Sequence, residues 1–154
     1  SRYQVRRGSI MVYNENGKRS KEMYTNNSVH SLLKKSNRKP SECFFGEHLI
    51  NDSDKPIAIV ESAKTAIIAS HFNSDYIWLG SNGASGLNRE KFNALRDRKV
   101  ILFPDQDKYE TWSEKAELFK NMTQLSISSI MEDSFKNGDC NHGDDIADLL
   151  LKTT

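Results

Sequence analysis

The distribution of apolar and polar positions divides the chain into two parts. From Ser1 to about Asn51 the residues are polar and basic, with only short apolar stretches. Ser9–Tyr13 reads as a strand, Asn14–Gly17 as a turn, and Lys21–Thr25 as a returning strand, which together predict a β-hairpin. Ser28 is placed to cap a short helix through Val29, Leu32 and Leu33 that ends before Pro40. Cys43–Gly46 is an apolar knot suited to docking this region on the main body. From Asp52 onward the pattern changes to strands and helices in alternation. Ile57–Val60 is an unbroken apolar run, as a parallel strand covered on both faces requires. Ser62–Phe72 shows helical spacing, Tyr76–Leu79 is a second strand, and Gly80–Gly86 is a Gly/Ser/Asn loop. Asn88 caps a helix to about Arg96 with Phe92 and Leu95 inward, and Val100–Phe103 is a third strand. Thr111–Asn121 predicts a helix with Trp112, Ala116, Leu118 and Phe119 inward, followed by a fourth strand at Leu125–Ser128. A polar loop over Lys136–Asp144 then leads to a last helix at Asp145–Lys152.

Strands alternating with helices imply an α/β fold with a parallel, Rossmann-like sheet and right-handed crossovers. The expected organisation is a basic hairpin-and-helix region over 1–51 and an α/β domain over 52–154. Ligands of such sheets bind beyond the carboxyl ends of the strands. The residues there are Glu61 after the first strand, the Gly80–Gly86 loop after the second, and Asp105-Gln-Asp107 after the third. If the first and third strands are neighbours, the three carboxylates reach one point and repel one another. A hard divalent ion, Mg²⁺ or Mn²⁺, is the natural compensator, because it takes oxygen ligands and keeps waters that phosphate can replace. Lys64 and the backbone of Gly80, Asn82 and Gly83 are further candidates for holding a phosphate. Glu61 and Asp105 can also be read as simple helix caps.

Charge alters this picture mainly through its placement. The chain carries 22 Lys and Arg against 21 Asp and Glu, a formal charge of +1, so the total implies no partner. The first 39 residues, however, set Arg2, Arg6, Arg7, Lys18, Arg19 and further lysines and arginines against only Glu15 and Glu22, whereas 132–148 is acidic. A basic arm beside an acidic site suits DNA or RNA as a partner. Tyr13 and Tyr24 are positioned to stack on single-stranded bases or to pack on the main body. Cys43 and Cys140 form no pair motif, and Cys140/His142 with Cys43/His48 lack the tight spacing of structural zinc sites. No apolar run is long enough to span a membrane, and the expected setting is a reducing, cytoplasmic one. The abrupt polar start reads as a fragment of a longer parent protein.

Four segments, in order, resemble the TOPRIM family. Ile57-Ala-Ile-Val-Glu61-Ser-Ala-Lys64-Thr-Ala66 is similar to its glutamate motif, and Val100-Ile-Leu-Phe-Pro-Asp105-Gln-Asp107 to its Asp-x-Asp motif. Leu79–Gly83 stands in the place of its second-strand glycine turn, and Gly143-Asp-Asp-Ile-Ala-Asp148 is similar to the segment that closes the domain in bacterial-type primases. The resemblance, over about Lys55–Leu151, is to the primase-like branch carried on mobile elements of gut bacteria. It implies Mg²⁺-dependent nucleotidyl transfer on nucleic acid, with nucleotides as substrates, during replication or transfer of such an element. Glu61 would be the general acid/base or a metal ligand, and Asp105 and Asp107 metal ligands. A noncatalytic DNA- or RNA-binding module and a metal-dependent nuclease are the alternatives. Three residues depart from the family's pattern: Ser62 stands in place of glycine, Pro104 precedes Asp105, and Lys108 is placed to compete with a metal.

Overall fold

The computed structural model describes Glu15, 43–51 and 53–152. The chain divides into two units, Ser1–Cys43 and Phe44–Thr154. The sheet and all the helices named below belong to the second unit. The expected hairpin, the helix from Ser28 and the basic arm lie outside the described residues.

Four parallel strands form the sheet: β1 (Ile57–Val60), β2 (Ile77–Gly80), β3 (Lys99–Leu102) and β4 (Gln124–Ile127). Their order is β2-β1-β3-β4, with Val60 level with Gly80, Ile59 with Leu102, and Leu102 with Ile127. The helices are α1 (Ala63–Phe72), α2 (Arg89–Phe92), α3 (Tyr109–Glu117), α4 (Ile130–Asn137) and α5 (Ile146–Lys152), with single 3₁₀ turns at Glu47–Leu49, Ala84–Gly86 and Asn93–Leu95. The fold is therefore an α/β, Rossmann-like core.

The twofold alternation of strand side chains sorts the core into two layers. Ile57, Ile59, Leu79, Val100 and Leu102 face Phe44, Phe92, Leu95, Trp112 and Phe119 from α2, α3, the turns that follow each of them and the segment before β1. Ala58, Val60 and Trp78 face Ala66 and Ala69 of α1, Met131 of α4 and Ile146 of α5. Small residues on both sides of the second interface let α1 lie close against β1. Two of the helix starts expected from sequence are capped by their first side chain: Ser62 Oγ accepts the Thr65 amide at 3.0 Å, and Asn88 Oδ1 the Lys91 amide at 3.1 Å. Phe44 packs edge-on to Phe92, and Phe45 exchanges hydrogen bonds with Gly80, so these two residues of the apolar knot dock on the outer edge of β2.

Three expectations need correction. Leu118 is 71 % exposed, because α3 begins at Tyr109 and ends at Glu117, so that Phe119 and not Leu118 turns inward. The helix from Asn88 is one α turn and then a 3₁₀ turn. The loop expected over Lys136–Asp144 gives up its first two residues to α4, a helix over a stretch left unassigned from sequence, which buries Met131 alone among its apolar residues.

Candidate functional site

The chain passes from β1 through α1 to β2 on one face, and from β2 through α2 to β3 on the other. The order β2-β1-β3-β4 therefore puts the reversal of winding between β1 and β3, where loops diverge and leave a crevice at the carboxyl ends. Glu61 leaves β1 and Asp105 leaves β3 on either side of that point.

The Gly80–Gly86 loop holds the Glu61 backbone. The amides of Asn82 and Gly83 donate to Glu61 O at 3.0 and 3.2 Å, and the Ser81 amide donates to Val60 O at 2.8 Å. The Gly80 amide donates to Phe45 O. The backbone donors of Gly80, Asn82 and Gly83, expected at a phosphate, are thus spent within the chain, which corrects that reading: the loop positions Glu61. Asn82 sits at φ 64° and Gly83 at φ 107°, which this tight return demands. Beneath it the buried Lys91 ammonium donates to Ser81 O at 2.7 Å.

On the other side of the crevice, Gln106 separates Asp105 from Asp107 and is itself buried. Its amide donates to Asp144 O at 3.1 Å, and its Oε1 accepts from the Gly143 amide at 3.2 Å. This pair of bonds fastens the β3 exit to the loop that starts α5. Asp145, on that loop, caps α5: its Oδ1 accepts from the amides of Ala147 and Asp148 at 2.8 and 3.2 Å, and Asp148 Oδ2 accepts the Asp145 amide at 3.0 Å. Asp145 Oδ2 accepts from Thr65 Oγ1 at 2.7 Å and lies 3.3 Å from Lys64 Nζ. Since the Thr65 hydroxyl has one proton and gives it to Asp145, the Ser62 hydroxyl donates to Thr65 Oγ1 across their 2.8 Å contact.

The electrostatics converge on Asp105. Burial, then the negative charges of Glu61, Asp145 and Asp107, push its carboxyl up to about 7, while Lys64 acts in the opposite sense. Asp107 is more exposed and is paired to Lys108, whose hydrogen bond holds it below the usual carboxylate range. Glu61 Oε2 is buried and has no hydrogen-bond partner. Glu61 and Asp105 follow adjacent strands, and the charges of Glu61, Asp107 and Asp145 all act on Asp105. Among the described residues no three His, Cys, Asp or Glu side chains are disposed to hold a metal ion as they stand. Lys64, expected at phosphate, instead has its ammonium on Asp145. Sequence reasoning missed the roles of Gln106, Lys91 and Asp145, although Asp145-x-x-Asp148 before an apolar run is a legible capping signature.

Against known proteins, residues 1–106 match the model of a domain of unknown function, DUF6371. The chain belongs to the DUF6371 family. The DUF6371 match takes in Glu61, Lys64 and the loop, and ends between Asp105 and Asp107. No curated protein and no solved structure matches the chain. Among the described residues of this DUF6371 member, no helix is long and apolar enough to cross a membrane.

Proposed function

We propose that the α/β unit is a primase-like TOPRIM domain that works on nucleic acid with Mg²⁺, in replication or transfer of a mobile element. The observation that carries this reading is that Glu61 and Asp105 follow the carboxyl ends of adjacent strands at the point where the sheet's winding reverses. The residues suit a hard divalent ion: the donors are carboxylate oxygens, Glu61 Oε2 is buried without a partner, and Asp105 is surrounded by like charge. Asp105 and Asp107 would hold the ion, with Glu61 beside them. When bound, Mg²⁺ neutralises phosphate oxygens in nucleotidyl transfer. The chain's own contribution is to fix the Glu61 backbone through the Gly80–Gly86 loop, leaving its carboxylate to accept a proton. The test is Mn²⁺ titration of the wild-type chain and of Asp105→Asn/Asp107→Asn, combined with nucleotide incorporation on a single-stranded template. Unchanged affinity in the double variant would overturn the site.

The pairing of Asp107 with Lys108 favours a second reading, a noncatalytic module that holds DNA or RNA. Its signature is salt-dependent binding that persists in EDTA, without incorporation. Cleavage of labelled single- or double-stranded DNA without incorporation identifies a nuclease on the same scaffold.

A further inference from the structure

Lys64 is the second residue of α1, in a first turn that carries no acidic side chain. A cation there faces the positive end of the helix dipole, which disfavours it. What holds it is the acidic cluster. Its Nζ lies 3.3 Å from Asp145 Oδ2, and its side chain is 28 % exposed against 13 % for that of Asp145. Its positive charge also reaches Asp105.

Asp145 is not an adaptable partner. Both its oxygens are engaged, Oδ1 by two amides at the start of α5 and Oδ2 by Thr65 Oγ1. Turning it toward an ion would uncap α5 and break the tie to α1. It is a fixed negative charge that holds the Lys64 ammonium, whose own charge in turn acts on Asp105. Once Asp105 is ionised, Glu61, Asp105, Asp107 and Asp145 are opposed within the cluster by Lys64 and Lys108, so two of the four negative charges are left for a divalent ion to match.

We infer that Lys64, anchored by Asp145, is a built-in counter-ion of the acidic site and sets the concentration at which a divalent cation enters it. The inference rests on the metal-site reading above. Lys64 touches neither the ion nor a substrate in this role. It is a positioning residue that lowers the site's charge when the ion is absent and repels the ion as it arrives. The ion and the ammonium would carry like charge at a partly exposed site, and their repulsion is enough to change affinity by about tenfold or more.

The test is Mn²⁺ binding to the full chain at pH 8, read by electron paramagnetic resonance of the free ion and by calorimetry. Four proteins are compared: wild type, Lys64→Met, Lys64→Arg and Asp105→Asn/Asp107→Asn. Lys64→Met is expected to bind Mn²⁺ about tenfold or more tightly than wild type. Lys64→Arg, which keeps the charge, should match wild type. Thermal unfolding of each confirms the fold, and Lys64→Gln replaces Lys64→Met if the latter fails to fold. Affinity in Lys64→Met equal to or weaker than wild type, with binding still lost in Asp105→Asn/Asp107→Asn, overturns the role of Lys64 and leaves the metal site standing. Binding that survives in the double variant, or its absence from both wild type and Lys64→Met, overturns both.

Discussion

Thr65 and Asp145, separated by 80 residues in sequence, share a buried hydrogen bond of 2.7 Å that ties the first turn of α1 to the cap of α5. The bond joins a hydroxyl to a carboxylate that also caps a helix, so removing it loosens both the start of α1 and the cap of α5. Thr65→Val keeps the shape and loses the donor. It is expected to lower unfolding stability by about 2 kcal/mol. Thr65→Ser, which retains the hydroxyl, should recover most of the loss, as measured by urea unfolding at fixed pH.

The surroundings of Asp105 give the folded state a definite pH dependence. Its folded pKa of about 7 lies above its ordinary 3.8, so the folded chain keeps this proton to a higher pH than the unfolded chain does. Stability from this group is complete below about pH 4 and falls as pH rises through 7, by up to roughly 4 kcal/mol. In EDTA, urea unfolding should therefore show stability decreasing from pH 5 to pH 8. Asp105→Asn should flatten that slope and be the more stable protein at pH 8. A slope of equal size in the variant would place its origin elsewhere.

Lys91 supports the loop that holds Glu61, through its bond to Ser81 O. Lys91→Met leaves that buried carbonyl without its donor, at a cost of about 1–3 kcal/mol. The more specific effect is local. Amide exchange at Asn82 and Gly83, whose N–H groups bind Glu61 O, should accelerate more than exchange in β3.

Two adjacent residues test the register at the end of α3. Phe119 is 6 % exposed and stacks on Phe92 with ring centroids 4.3 Å apart, whereas Leu118 is 71 % exposed. Phe119→Ala should cost about 3–5 kcal/mol. Leu118→Ala should stay within about 0.5 kcal/mol of wild type. Thermal unfolding of the pair separates the two orientations.

The first three strands are readable in the sequence as short apolar runs and β4 by Leu125 and Ile127 alternating with Gln124 and Ser126, and the helix starts because Ser62, Asn88 and Asp145 have side chains that accept backbone N–H groups. These are local causes, and they act within a few residues. Apolar character alone misplaces Leu118. The helix there stops one residue earlier, and the turn that comes next selects its neighbour. The helix Ile130–Asn137 is hidden because Ile130 and Phe135 are exposed and weaken its periodicity, although Glu132 and Asp133 in its first turn and Gly138 at φ 82° after it are signals of its ends. At the site, the acids are legible from their positions at strand ends. The use of the Asn82 and Gly83 amides is not, since it depends on where the Glu61 carbonyl points once β1 and β2 have paired. Nor is Gln106, whose partners at 143 and 144 come from the far side of the crevice.

The fastening of Gln106 to the loop before α5 also bears on the order in which the molecule assembles. The parallel pairing of β1 with β3 closes a long stretch of chain, and the contacts of Gln106 with Gly143 and Asp144 close another. Such distant closures come late and slowly in folding, after local helices have begun to form. A nascent chain released at residue 106 would carry β1, β3, Glu61 and Asp105 but lack Trp112 of the core, Asp145 and the loop that fastens Gln106.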